Sequence, residues 1–171
     1  MDEKELLHKA RNGNKHCLNL LLQNNYKIIY GFLIKLTGDM DLAEDLLQET
    51  LLKACMNIEK FRGDSKFSSY LIKISLNIYK NHMRKNNRVI YDSDVIQNIS
   101  YNGEMEMINA LKFKEALEYL QSMSYEKRVS FILKHYYGYS IEEISNIFNV
   151  AEGTTKSRLH NTMKKLKKLL G

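Results

Sequence analysis

The feature that most constrains this chain is a helical apolar period that runs nearly from end to end and lapses once, over residues 89–104. Apolar side chains recur every three or four positions, the spacing of one face of an α-helix. The 171 residues include no Pro and only eight Gly, which argues against β-rich and collagen-like architectures. The expected fold class is all-α: two small helical domains joined by a linker. In the first half the period predicts helices near 2–12 and 15–37, a third running to about 58, and a fourth near 67–87. Gly38-Asp39 separates the second from the third, with Asp39 or Asp41 as N-cap, and Arg62-Gly63-Asp64-Ser65 is a turn signal before the fourth. In the second half it predicts helices near 105–122, 125–137, 140–148 and 152–170, with breaks at Gly138 and Asn149-Val150-Ala151. The intervening segment is rich in Asp, Ser and Asn and includes Gly103. It also holds Val89, Ile90, Val95 and Ile96, which suit it to docking rather than floating. The expected domains are therefore 1–88 and 105–171 with a linker at 89–104. Units this small bury only a modest core.

Several function classes drop out. No apolar run approaches the roughly 18 residues that a membrane span needs. The start, Met1-Asp2-Glu3-Lys4-Glu5, is charged and lacks a signal-peptide core. A cytoplasmic protein without membrane insertion is expected. Cys17 and Cys55 have no metal-ligand spacing and form no disulfide framework, so free buried thiols are expected. His8, His16, His82, His135 and His160 do not pair with Cys or carboxylates at ligand spacing. There is no Gly-rich phosphate loop and no nucleophile elbow. No catalytic residue, metal or cofactor is expected, and the chain does not read as an enzyme.

The net charge of +6 is unevenly distributed. Residues 61–90 carry seven basic and one acidic side chain, and residues 152–171 carry six and one. The remainder is net acidic. Two cationic islands of this kind suit a polyanion, or else form two solvated helix faces.

Helical wheels resolve the islands into faces. On the fourth helix Phe67, Tyr70, Leu71, Ile74 and Ile78 form an apolar stripe, and Lys73, Asn77, Lys80 and Arg84 form a basic one beside it. Lys and Arg suit phosphates, and an amide suits a base edge. The preceding loop interleaves Phe61, Arg62, Lys66, Phe67 and Tyr70, aromatics that either stack unpaired bases or seal the core. On the last helix Leu159, Met163, Leu166 and Leu170 face one way, and Ser157, His160, Asn161, Lys164 and Lys168 face the other. With Ser140–Ile144 and the 148–151 turn before it, this is a helix-turn-helix pattern in which Thr154 and Thr155 can bond phosphate. The third helix exposes Asp41, Glu44, Asp45 and Gln48, with Ala43, Leu46, Leu47, Thr50 and Ala54 opposite. An acidic face repels DNA, which leaves a protein-docking face or plain solvated helix.

These blocks resemble the bacterial sigma-70 family. Asp41-Leu42-Ala43-Glu44-Asp45-Leu46-Leu47-Gln48-Glu49-Thr50 is similar to region 2.2 of sigma factors. Phe61–Leu71, followed by Ile74-Ser75-Leu76-Asn77, is similar to regions 2.3 and 2.4. Ser140–Ile144 with Glu152–Leu159 is similar to region 4.2. Order, spacing and length resemble the two-domain extracytoplasmic-function (ECF) group. The resemblance implies a sigma factor that binds core RNA polymerase, recognises −10 and −35 promoter elements and is controlled by an anti-sigma factor. Asp41, Glu44, Asp45 and Gln48, with Leu47 and Leu51 at the edge, would meet the β′ clamp helices. Phe61, Arg62, Lys66, Phe67, Tyr70, Lys73, Asn77, Lys80, Asn81 and Arg84 would hold the melted −10 strand. Domain 4 would sit on the β flap, with Thr154, Lys156, Ser157, His160, Asn161 and Lys164 at the −35 element and Arg158 on phosphate. Lys156 lies toward the apolar edge of the wheel and would snorkel outward. Tyr70 stands where many members have Trp, and His160 and Asn161 where many have larger or basic groups. The alternatives are a helix-turn-helix repressor or activator binding duplex DNA without polymerase, and a helical adaptor with no DNA role.

Overall fold

The computed structural model describes residues 1–86, 114, 115 and 117–170. The chain divides into two compact units, Met1–Val95 and Ile96–Gly171. The expected linker at 89–104 and most of the helix expected at 105–122 lie outside the described residues. Within that expected helix, residues 114, 115 and 117–121 are described and helical. No strand occurs among the described residues.

The first unit contains α1 (Glu3–Arg11), α2 (Lys15–Thr37), α3 (Met40–Met56), a short 3-10 turn (Ile58–Lys60) and α4 (Phe67–Asn86). Local chemistry sets the boundaries. Asp2 accepts from Glu5 N at 2.7 Å, Asn14 from Cys17 N at 3.0 Å, and Asp39 from Leu42 N at 2.9 Å. Each satisfies an orphan donor of a first turn. Gly38 ends α2 at φ 69°, a left-handed position that costs Gly nothing. Asp39, not Asp41, is therefore the cap of α3.

α2 packs against α1, α3 and α4, and α3 packs against α4. Phe32, Leu33, Leu36, Leu47, Phe67, Leu71 and Ile72 fill the centre. Each such side chain contributes about 1.5–3 kcal/mol by leaving water. The core stripe of α4 is wider than the sequence suggests and is centred on Ser75. It takes in Ile72, Leu76 and Tyr79, while Tyr70 and Ile74 are only half-buried. The buried polar groups are satisfied within their own helices: Asn25 donates to Leu21 O at 2.8 Å, Thr50 to Leu46 O at 2.7 Å and Ser75 to Ile72 O at 2.8 Å. Cys17 is buried, as expected, but Cys55 is half-exposed.

One cap crosses the sequence. α4 is preceded by Lys66, whose side chain has no acceptor, and its first turn has no acid. The Phe67 N–H instead donates to Glu3 Oε1 at 3.0 Å, from 64 residues earlier.

The second unit contains α5 (Tyr125–Tyr137), α6 (Ile141–Phe148) and α7 (Glu152–Leu170), all in mutual contact. Val129, Ile132, Leu133, Ile144 and Leu159 form its core with Leu117 and Leu120. Gly138 stops α5 at φ 68°, and Tyr139 N donates back to Leu133 O at 3.0 Å. Ser140 and Glu143 form a reciprocal capping box on α6. Asn149, at φ 52°, makes the sharp exit from α6. Val150 N bonds Ser145 O at 3.1 Å, and the chain re-enters helix at Glu152. This is a helix-turn-helix.

Candidate functional site

Three exposed faces emerge, two on the first unit and one on the second. On α3 the four polar residues Asp41, Glu44, Asp45 and Gln48 are all exposed, and Ala43, Leu46, Leu47, Thr50 and Ala54 are all buried. Leu47 is 1% exposed. It belongs to the core and cannot meet a partner, because its position on the wheel lies opposite the acidic arc. Leu51 is half-buried at the rim. The arc continues where sequence reasoning stopped: Leu52 and Met56 are 61% and 74% exposed, four and eight residues beyond Gln48. Simple extension of the four-residue spacing would have found them. Beside the arc, exposed Tyr26 lies 6.2 Å, centroid to centroid, from Tyr30. Burial raises the Tyr30 phenol pKa, and Glu44 of the acidic arc adds to it.

On α4, Lys73, Asn77, Lys80, Asn81 and Arg84 are all exposed along one arc. Arg84 donates to Asn81 Oδ1 at 2.5 Å, so those two act as a pair. The Asn77 amide stands between Lys73 and Lys80 and faces solvent. Arg62 and Lys66 are exposed in the loop.

The aromatics of that loop separate. Phe67 is 0% exposed and Phe61 is buried, so neither offers a face to a base. They seal the core under the loop, where Phe61 stacks on Tyr70 at 4.5 Å and 23°. Tyr70 is half-buried and donates to Asn57 O at 3.3 Å. Of the three rings it alone keeps an accessible edge.

On α7 the residues Thr154, Lys156, Ser157, His160, Asn161 and Lys164 are all exposed. Lys156 does not lie at an apolar edge. It is open to solvent and pairs with Glu152 at 3.2 Å, one helical turn away. Asn161 Nδ2 donates to Ser157 Oγ at 3.5 Å. Two residues differ from expectation. Thr155 is fully buried, and its hydroxyl meets Ser145 Oγ at 2.7 Å, so it cannot bond phosphate. Arg158 is half-buried with its guanidinium 5.5 Å from the Phe148 ring centroid. Its Nη1 is buried and unbonded, which takes that nitrogen away from the phosphate contact expected of it. The wheel placed Leu159, Met163 and Leu166 correctly as an inward stripe, although of these only Leu159 is buried; the Leu170 side chain lies outside the described residues.

An acidic face and a basic amide-bearing face on one helical unit, and a helix-turn-helix on another, are the arrangement expected of a two-part protein that meets both DNA and a protein partner. Residues 21–89 match the family model for sigma-70 region 2, and residues 113–166 match that for sigma-70 region 4. The ECF RNA polymerase sigma factor EcfG of Rhodopseudomonas palustris is 34% identical over 139 residues, covering 81% of this chain and 77% of that protein. Among solved structures, the sigma factor RpoE in complex with the anti-sigma factor NepR from Bartonella quintana is similar, with a TM-score of 0.69 and 31% identity. The match covers 87% of this chain and 93% of that one. CnrH, solved with the cytosolic domain of CnrY, shares the fold at a TM-score of 0.68 and 19% identity, covering 98% of this chain and 96% of that one. The chain belongs to the ECF family of RNA polymerase sigma factors.

Proposed function

We propose that the three faces divide the work of promoter-specific initiation. The acidic arc of α3, Asp41, Glu44, Asp45 and Gln48, docks on the β′ clamp helices of core polymerase, with Leu51, Leu52 and Met56 as its apolar margin. Arg62, Lys66 and Tyr70 in the loop, with Lys73, Asn77, Lys80, Asn81 and Arg84 on α4, hold the melted −10 strand. The exposed face of α7, Thr154, Lys156, Ser157, His160, Asn161 and Lys164, enters the −35 major groove while its unit rests on the β flap. Residues 1–88 and 105–171 are the two domains and 89–104 the linker. The protein performs no catalysis of its own, works in the cytoplasm and is held in check by an anti-sigma factor, as RpoE is bound by NepR.

The observation that carries this reading is the separation of charge on the first unit. Its acidic arc and its basic arc lie on different helices, and each is fully exposed. One surface repels DNA and the other attracts it, so polymerase and promoter strand can be held together. These relatives are sigma factors, which favours this reading over a repressor acting without polymerase.

The test is run-off transcription with purified bacterial core polymerase on fragments of the source genome. Discrete transcripts that need both components support the reading. Absence of transcripts together with absence of core binding would refute it. Binding to duplex promoter should also be salt-dependent: six to eight phosphate contacts give a log–log slope of about −5 to −7.

A further inference from the structure

We propose that Glu3 is a positioning residue for the −10 strand site. It touches no DNA, but it fixes the start of α4 and so the loop at 61–66. This rests on the assignment of that loop and α4 to promoter-strand capture. A helix start needs acceptors for its first N–H groups. Lys66 offers none from its side chain, and the Lys66 carbonyl is taken by Ser69 N at 3.0 Å and Tyr70 N at 3.3 Å. The Phe67 N–H is satisfied by the Glu3 carboxylate at 3.0 Å. That carboxylate also sits at the positive end of a 20-residue helix, the favourable place for an anion.

Glu3 is held on a firm base. Leu6, Leu7 and Ala10 are buried, and α1 packs on α2 and on the 3-10 turn that leads into the loop. Asp2 caps α1 itself. A second pin lies nearby. Gly63 has φ +84°, and a Cβ there would stand 3.1 Å from Leu7 Cδ2, so the loop passes close over α1. The loop is thus clamped at two points by α1, once by packing and once by a charge-assisted bond. Exposed Arg62 and Lys66 sit on the clamped segment, and Tyr70, Lys73 and Asn77 follow on the helix whose first turn Glu3 closes. Loosening the clamp should blur the placement of these groups while leaving the acidic arc of α3 as it is.

The test uses holoenzyme assembled from core polymerase and the full chain. The probe is a non-template-strand oligonucleotide carrying the −10 element of a promoter mapped by the run-off experiment. Glu3→Ala should weaken oligonucleotide binding about fivefold to tenfold, the size of one lost helix cap, and leave affinity for core within about twofold. Glu3→Gln keeps an acceptor oxygen and should recover most of the loss. Glu5→Gln, which breaks only the pair with Lys9, should behave as wild type. Wild-type binding by Glu3→Ala would overturn the proposal. So would a loss of core affinity by the same factor, which would mark Glu3 as a general stabiliser. Failure of wild-type holoenzyme to bind the −10 oligonucleotide would overturn the strand-capture assignment and this proposal with it.

Discussion

The hydroxyl pair between the two helices of the helix-turn-helix gives a prediction whose size and order can both be worked out. Ser145 is 4% exposed and Thr155 is 0% exposed, and their oxygens are 2.7 Å apart. Ser145 Oγ also lies 2.7 Å from the Ile141 carbonyl, to which it must donate. A hydroxyl has one proton, so Thr155 is the donor to Ser145. The two deletions are therefore unequal. Thr155→Val keeps the shape, leaves Ser145 bonded to Ile141 and forfeits one hydrogen bond, about 0.5–1 kcal/mol. Ser145→Ala leaves the Thr155 proton buried without an acceptor, about 2 kcal/mol, or roughly a 30-fold shift in the opening equilibrium. The double variant removes both ends and should cost no more than Ser145→Ala alone, giving a coupling of about 1 kcal/mol.

Hydrogen exchange of α6 and α7 amides in the full chain reads this directly, because it reports each unit by itself. Exchange should speed up in the order wild type, Thr155→Val, Ser145→Ala, with the double variant no faster than Ser145→Ala. Two results would refute the reasoning: equal costs for the two single variants, or additivity within about 0.3 kcal/mol.

Other predictions follow from the exposed faces and the burial of titratable groups. Asn77→Ala should reduce promoter opening about tenfold, measured by permanganate reactivity, while core affinity stays within about twofold; equal loss of both would remove Asn77 from the strand site. His160→Ala or Asn161→Ala should change the preferred −35 sequence in a selection on randomised promoters without altering core affinity, and an unchanged profile would assign the groove to other residues. Burial, with Tyr136 and Tyr139 adding to it, pushes the Tyr137 phenol up to about 12 from an ordinary 10.0. The fold holds the neutral form, so that contribution is intact below pH 10 and is lost as pH rises from 10 to 12. Tyr137→Phe should flatten the stability–pH curve in that window, as urea melts at stepped pH would show, and coincident curves would contradict this.

The helices in this chain were legible because their signals are local. The apolar period, the Asp39 and Ser140 caps and the Gly38 and Gly138 stops all act within a turn or two of the residues they govern. The three polar faces were legible for the same reason: an exposed arc at helical spacing is a property of one helix. Leu47 shows where this ends. Its motif position suggested an interface, but its wheel position placed it inside, and the packing of α3 against α2 and α4 decided for the inside.

Sequence by itself thus determined the helix class, the two-part organisation, the sign of each face and the family resemblance. Only the tertiary structure decided which member of a face is free. Thr154 and Thr155 are adjacent and chemically alike, yet one is exposed and the other gives its proton to Ser145. Arg158 looks like its cationic neighbours until Phe148 is brought beneath it. Glu3 reads as an ordinary charge in a first turn until α1 is folded against the loop, where it becomes the cap of a helix 64 residues away. Helical period and capping are set by neighbours in the chain, whereas hydrogen-bond partners and burial are set by neighbours in space, which exist only after the helices have packed.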